Sequence, residues 1–259
     1  MVLDHLLYVG PDLADLVAEL AGSSGLNAAV GGKHPGQGTH NALLGLGPDR
    51  YLELMAPDPE QTVLPTRVAP GAAPPGTFLR SIAYAHTPQL FTWCAKVANA
   101  ADFAARARAL GLGVTVYPGS RVTPTGATLR WDLIILDGHG LGGVVPFFID
   151  WHDSPHPAAA LQVDTGSDGP VSSRGTAAGA GADPGHAPGL ELIALELRHP
   201  DPAALQNLLR ALGSFSGHPT SASDITIAQA AGPELVARLT GRLGPFALRG
   251  RGGQLVTSV

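Results

Sequence analysis

The chain has 259 residues, a formal net charge of -5, 44% hydrophobic and 14% charged residues. That balance supports a buried core and leaves no basic surface for nucleic acid. A lone Cys94 excludes a disulfide scaffold and a cysteine-based zinc cluster, and no apolar run approaches the ~20 residues of a membrane span, so a soluble cytoplasmic protein without a signal peptide or membrane contact is expected.

Leu3 to Val9 alternates as a strand, with Leu3, His5, Leu7 and Val9 on one face and Asp4, Leu6 and Tyr8 on the other. Gly10-Pro11-Asp12 is a turn, and Asp12 is a good N-cap for a helix carrying Leu13, Leu16, Val17 and Leu20. His40 to Leu46 and Arg50 to Ala56 read as two strands around Gly47-Pro48-Asp49, so the first unit is β-α-β-β-β. Residues 58–77 are a Pro- and Gly-rich connector. The pattern then repeats: a strand over Phe91 to Val97, a cap at Asn99, a helix over Asp102 to Leu110, and strands over Val114 to Tyr117, Thr128 to Leu136 and Val144 to Trp151.

Beyond residue 153 the chain turns to Ser, Gly, Ala and Pro, the composition of a linker, assigned to 158–189. A third opening follows: a strand over Leu190 to Leu197, a turn at His199-Pro200-Asp201-Pro202, and a helix over Ala203 to Leu212. Ile225 to Ala230 reads as a strand, Gly232 to Leu243 as a short helix, and Ala247 to Arg249 with Leu255 to Thr257 as a closing pair. Three copies of one opening are an internal repeat. The expected division is 1–157 (modules 1–57 and 90–152), a linker 158–189, and a third module 190–259. The third module packs against the first two or meets its counterpart in a homodimer, and both stay open.

Asp-His-Leu at the start, Gly-Gly-Lys-His-Pro-Gly-Gln-Gly-Thr-His-Asn at Gly31 to Asn41, Tyr-Leu-Glu-Leu at Tyr51 to Leu54, and Pro-Phe-Phe-Ile-Asp-Trp at Pro146 to Trp151 resemble the glyoxalase-like domain family of the vicinal oxygen chelate superfamily. The resemblance implies an α+β fold of βαβββ modules whose cupped mixed sheet holds a cleft. It further implies that His5 on the first strand and Glu53 on the last strand of module one bind a divalent metal, Zn, Ni, Mn or Fe. The family pattern calls for a second His and a second Glu or Gln in module two, and this sequence departs from it. Aligning the helix caps puts Thr92 where His5 stands, and Phe148 is expected to face the cleft beside a turn-binding Asp150.

A carboxylate on an apolar strand is costly to bury unless it is paired or cation-bound, so Glu53 and His5 are metal ligands or partners of each other. Glu53 is also the expected catalytic carboxylate. His34 is a binding candidate from its Gly-rich loop, and Asn41 shares the face of Glu53 across the hairpin while His40 points away. Arg130 can anchor an anionic ligand by its planar fork or pair with Asp132 or Asp150. Trp93, Trp131, Phe147, Phe148 and Trp151 supply an aromatic wall or ordinary core. His86, His139, His152, His156, His186 and His218 are expected to be solvated. The function expected is binding of a small molecule in the paired-module cleft. The alternatives are a metal-dependent lyase or dioxygenase, and a non-catalytic structural or regulatory dimer.

Overall fold

The computed structural model describes residues 2–61, 73–122, 126, 128–161, 189–213 and 224–255. The first unit comprises β1 (Val2–Val9), α1 (Leu13–Ser24), β2 (Ala29–His34), β3 (Thr39–Gly45) and β4 (Tyr51–Pro57). After the short α2 (Thr77–Ile82), the second comprises β5 (Gln89–Lys96), α3 (Ala100–Ala109), β6 (Gly113–Val122), β7 (Thr128–Asp137) and β8 (Phe147–Asp150). Asp12 and Asn99 cap α1 and α3, accepting from Asp15 N and Asp102 N.

The two units share one eight-stranded sheet in the order β2-β3-β4-β1-β5-β8-β7-β6. Each unit pairs its first strand parallel to its last, β1 with β4 and β5 with β8, and the units join through antiparallel β1 and β5. Alternation along these strands separates two faces. Leu6, Leu52, Leu54, Trp93, Ile134 and Phe148 face α1 and α3, whereas Leu7, Met55, Leu133, Phe147, Ile149 and Trp151 face the concave side.

The short α4 (Ala158–Leu161) packs on Leu43 and Tyr51 of the first unit, and the third unit then runs β9 (Glu191–His199), α5 (Pro202–Ala211), β10 (Asp224–Gln229), β11 (Glu234–Gly241) and β12 (Gly244–Gly250). It keeps the expected βαβββ order, but its sheet runs β10-β9-β11-β12, so β11 sits against β9 where β5 sits against β1. The stretch expected as a short helix is strand β11, and β12 pairs with β11; residues 256 and 257 of the expected closing pair lie outside the described residues. Leu235, Ala237 and Leu239 share one buried face of this strand, with Val236 and exposed Arg238 on the other, and cross-strand packing overrode the local helix signal. Leu195, Leu197, Leu205, Leu209, Leu235 and Leu239 merge with the leucines of α1, β1 and β4 into one core. The third unit therefore packs on the helix-bearing face of the paired units within the chain. Most of the Gly- and Ala-rich stretch, with His186 and His218, lies outside the described residues. No helix among the described residues is long and apolar enough to cross a membrane.

Candidate functional site

The concave face encloses a cavity of about 90 Å³. Its walls differ in chemistry. His5, His34, Asn41, Tyr51 and Glu53 come from the first unit, and Trp131, Leu133, Phe147, Ile149 and Trp151 from the second. Leu7, Leu43 and Met55 of the first unit, Arg121 of the second, Phe78 and Leu255 complete the lining.

The polar wall rests on an irregularity in β1. Leu3 pairs with Ala95 and His5 with Cys94, leaving Asp4 as an extra residue. A bulge of this kind breaks alternation and bends the strand. Leu3 therefore joins the helix-side core instead of the face of His5, correcting the strict alternation read from sequence. Asp4 is fully buried yet turned to the imidazole of His5, whose Nδ1 lies 2.7 Å from its Oδ1. Trp151 Nε1 donates to Asp4 Oδ2 at 2.9 Å, and His156 Nε2 lies 3.1 Å from the same oxygen. Burial works against ionisation of Asp4, but the bonds from His156 and His5 outweigh it and hold the carboxyl well below the usual carboxylate range.

An ionised Asp4 can only accept, so His5 carries a proton on Nδ1 and turns Nε2 toward the cavity. The ring stacks on Tyr51 at 4.6 Å between centroids and meets the edge of Phe147 at 5.3 Å. Nε2 then stands 3.7 Å from Glu53 Oε2.

Glu53 shares its strand face with Tyr51 and Met55, as alternation requires. Its Oε1 accepts from Asn41 Nδ2 at 2.6 Å, because the β3–β4 register sets Asn41 opposite Met55 and Leu43 opposite Glu53. Asn41 Oδ1 is buried without a hydrogen-bond partner among the described residues and lies over Gly31, where any Cβ would overlap it. His34 Nε2 is 3.3 Å from Asn41 Nδ2 and 3.6 Å from Glu53 Oε1, while Nδ1 is 2.8 Å from Thr39 Oγ1. Burial lowers the pKa of His34, with Arg121 adding to the effect and Glu53 opposing it. The wall thus holds one buried carboxylate between two imidazoles, tied to a neutral amide.

Of the residues singled out from sequence, His5, His34, Asn41, Glu53, Trp131 and Trp151 line this cavity. Phe148 and Arg130 do not. Phe148 is fully buried on the other face, 4.2 Å from the ring of Phe103. Parallel pairing sets Leu7 beside Glu53 and Cys94 beside Phe147, so Phe147 takes the place of Glu53 in the second unit. Arg130 is exposed and neighbours cavity-facing Trp131, and adjacent strand residues cannot share a face. Arg121, two strand positions beyond Gly119 on β6, supplies the cavity's cation instead. Asp150 lies on the helix side and accepts from Ala100 N and His152 N at 2.9 Å each, the turn-binding role expected of it. His156, expected to be solvated, is held between Asp4, Tyr51 and Trp151. Asp4, Arg121 and the site role of His156 escaped the sequence reading, whereas Phe147 was already expected in the aromatic wall. The Asp4-His5 pair was visible as adjacent letters, but alternation assigned its members to opposite faces.

The donor set does not fit the four-ligand metal of the superfamily pattern. The positions equivalent to His5 and Glu53 in the second unit hold Thr92 and Phe147, and the facing wall is aromatic and aliphatic. Among the described residues, only Asp4, His5 and Cys94 bring ligand atoms within 4.8 Å of one another. Both oxygens of Asp4 already accept bonds from side chains, His5 Nδ1 is bound to one of them, and burial pushes the Cys94 thiol well up. His5 Nε2 and Glu53 are two donors that no third, His34 included, joins within 4.8 Å among the described residues, where protein metal centres usually take three or more.

Two fused βαβββ units around one concave cleft define the vicinal oxygen chelate fold. Residues 3–213 match the family model described as "Glyoxalase-like domain", and the chain belongs to that family. A hypothetical protein from Staphylococcus aureus shares the fold, with 12% identity, a TM-score of 0.53, and coverage of 98% of this chain and 87% of that one. Methylmalonyl-CoA epimerase from Mycobacterium tuberculosis aligns at 20% identity and TM-score 0.39, over 58% of this chain and 88% of that one. A variant of the Streptomyces coelicolor epimerase, in complex with 2-nitronate-propionyl-CoA, aligns at 18% identity and TM-score 0.40, over 58% and 96%. A comparison with curated proteins finds no match.

Proposed function

We propose that the cavity binds a compact small molecule between its polar and aromatic walls, without a resident metal. One observation carries the reading: Glu53, 9% exposed, faces an aromatic wall with an amide as its close partner and imidazoles beyond 3.5 Å. A buried carboxylate without a full counter-charge is costly, so a ligand donor placed there gains a strong interaction. A ligand N–H, O–H or acidic C–H directed at Glu53 Oε2 would find an acceptor or base, with His5 Nε2 beside it and Arg121 available for an anionic group. The paired units 1–157 are the binding domain in this reading, 158–189 the linker and 190–259 the third module.

The alternative, a metal-dependent lyase or dioxygenase, retains His5 Nε2 and Glu53 as its two donors. Elemental analysis of untagged protein, purified without chelator and then incubated with Ni, Zn, Mn or Fe salts, separates the two. The metal-free reading expects substoichiometric metal that His5→Ala and Glu53→Ala leave unchanged. It also expects thermal stabilisation by small aromatic carboxylates that Glu53→Gln alters. Stoichiometric metal lost in both alanine variants would overturn it.

A further inference from the structure

We propose that the segment leaving β12, residues 251–255, is a working wall of the cavity, so that the third module sets the size of ligand the cleft admits. The proposal rests on the cavity being a small-molecule site. β12 lies on the helix-bearing side, in the core shared with α1 and β5, with Leu248 buried there. The chain then passes to the opposite face, where Leu255 is 7% exposed, joins the apolar cluster of Phe91 and Trp151, and lines the cavity.

The route is built for close passage. A Cβ on Gly250 would overlap the carbonyl oxygen of Leu90, and one on Gly253 would overlap the ring of Phe91. Gly252 takes φ +73° and packs against the backbone of Gly143. A second bulge receives the segment. Leu7 pairs with Thr92 and Tyr8 with Leu90, leaving Phe91 as the extra residue of β5. Its carbonyl, free of the ladder there, accepts from Gly253 N at 2.5 Å. Gln254 Nε2 lies 2.8 Å from His139 Nε2 and donates to Gly142 O at 3.4 Å.

Phe91 occupies the position of Asp4 in the other unit, because caps Asp12 and Asn99 and both bulges keep one spacing. The first unit uses its bulge to orient His5, and the second uses its bulge to seat Leu255.

The test compares the full chain with Leu255→Ala and Gly253→Val. Acrylamide quenching reports access to the cavity tryptophans, and titration with benzoate and 2-naphthoate reports ligand size. The expected result is at least about two-fold stronger quenching, and a naphthoate-to-benzoate affinity ratio raised about ten-fold in Leu255→Ala. Quenching and ratio unchanged in Leu255→Ala, with native circular dichroism, would overturn the proposal, whatever Gly253→Val does to folding. If neither carboxylate binds the wild type, quenching alone decides the wall, and unchanged quenching overturns it. That outcome removes the small-molecule reading for these ligands without touching the wall.

Discussion

Asp4→Asn tests the polar wall most directly. The substitution keeps shape and removes the charge that three buried donors share: His5 Nδ1, Trp151 Nε1 and His156 Nε2. Hydrogen bonds to a charged acceptor contribute about 1.5–3 kcal/mol each, and neutral ones about 0.5–1.5 kcal/mol. Losing charge assistance at three bonds therefore costs about 3 kcal/mol, or ~6–12 °C in Tm for a chain of this size. With the amide nitrogen facing His5 Nδ1, that ring nitrogen would have to accept instead of donate, and the imidazole would carry its proton on Nε2 toward Glu53. Nitrogen-detected NMR of the histidines reads that change, and urea denaturation reads the stability. The pH dependence has a definite sign. A depressed folded pKa contributes stability in full above the unfolded value near 4 and loses it as pH falls toward the folded value. Asp4→Asn should flatten that acid limb. A stability loss below about 1 kcal/mol with His5 still protonated on Nδ1 would refute the reasoning.

The remaining predictions concern neighbours. Phe148→Ala should cost about 3–5 kcal/mol by denaturant titration with little change in ligand affinity, while Phe147→Ala should cost less and alter binding, because only Phe147 meets the cavity. Burial keeps His34 neutral to lower pH than in the unfolded chain, which takes up the proton first. Tm should therefore drop as pH falls below about 6.5, and His34→Gln should lack that part of the drop. Arg121→Ala should weaken benzoate binding in calorimetry, whereas exposed Arg130→Ala should leave it unchanged and shift stability by no more than about 0.5 kcal/mol.

Much of this protein was legible in its letters. Helix caps at Asp12, Asn99 and Asp201, the strand alternation of Tyr51 to Ala56, and the recurring strand-turn-helix opening specify two like units and a third, because local hydrogen bonding and the two-residue strand period are properties of short segments. The same period placed Asn41 and Glu53 on one face. Where reading by period failed, the period itself was broken or its phase was set from afar. Asp4 turns toward His5 only because β1 carries an extra residue against β5. Whether Phe147 or Phe148 meets the cavity depends on the register of β8 on β5, fixed by pairing between segments far apart in the chain. Periodicity likewise says nothing about where β11 docks or that Leu255 crosses to the far face of the sheet. Sequence determined the modules and the polar residues they carry. Tertiary pairing decided which of them share a cavity, because bulges, register and docking are set by contacts between segments that no local pattern encodes.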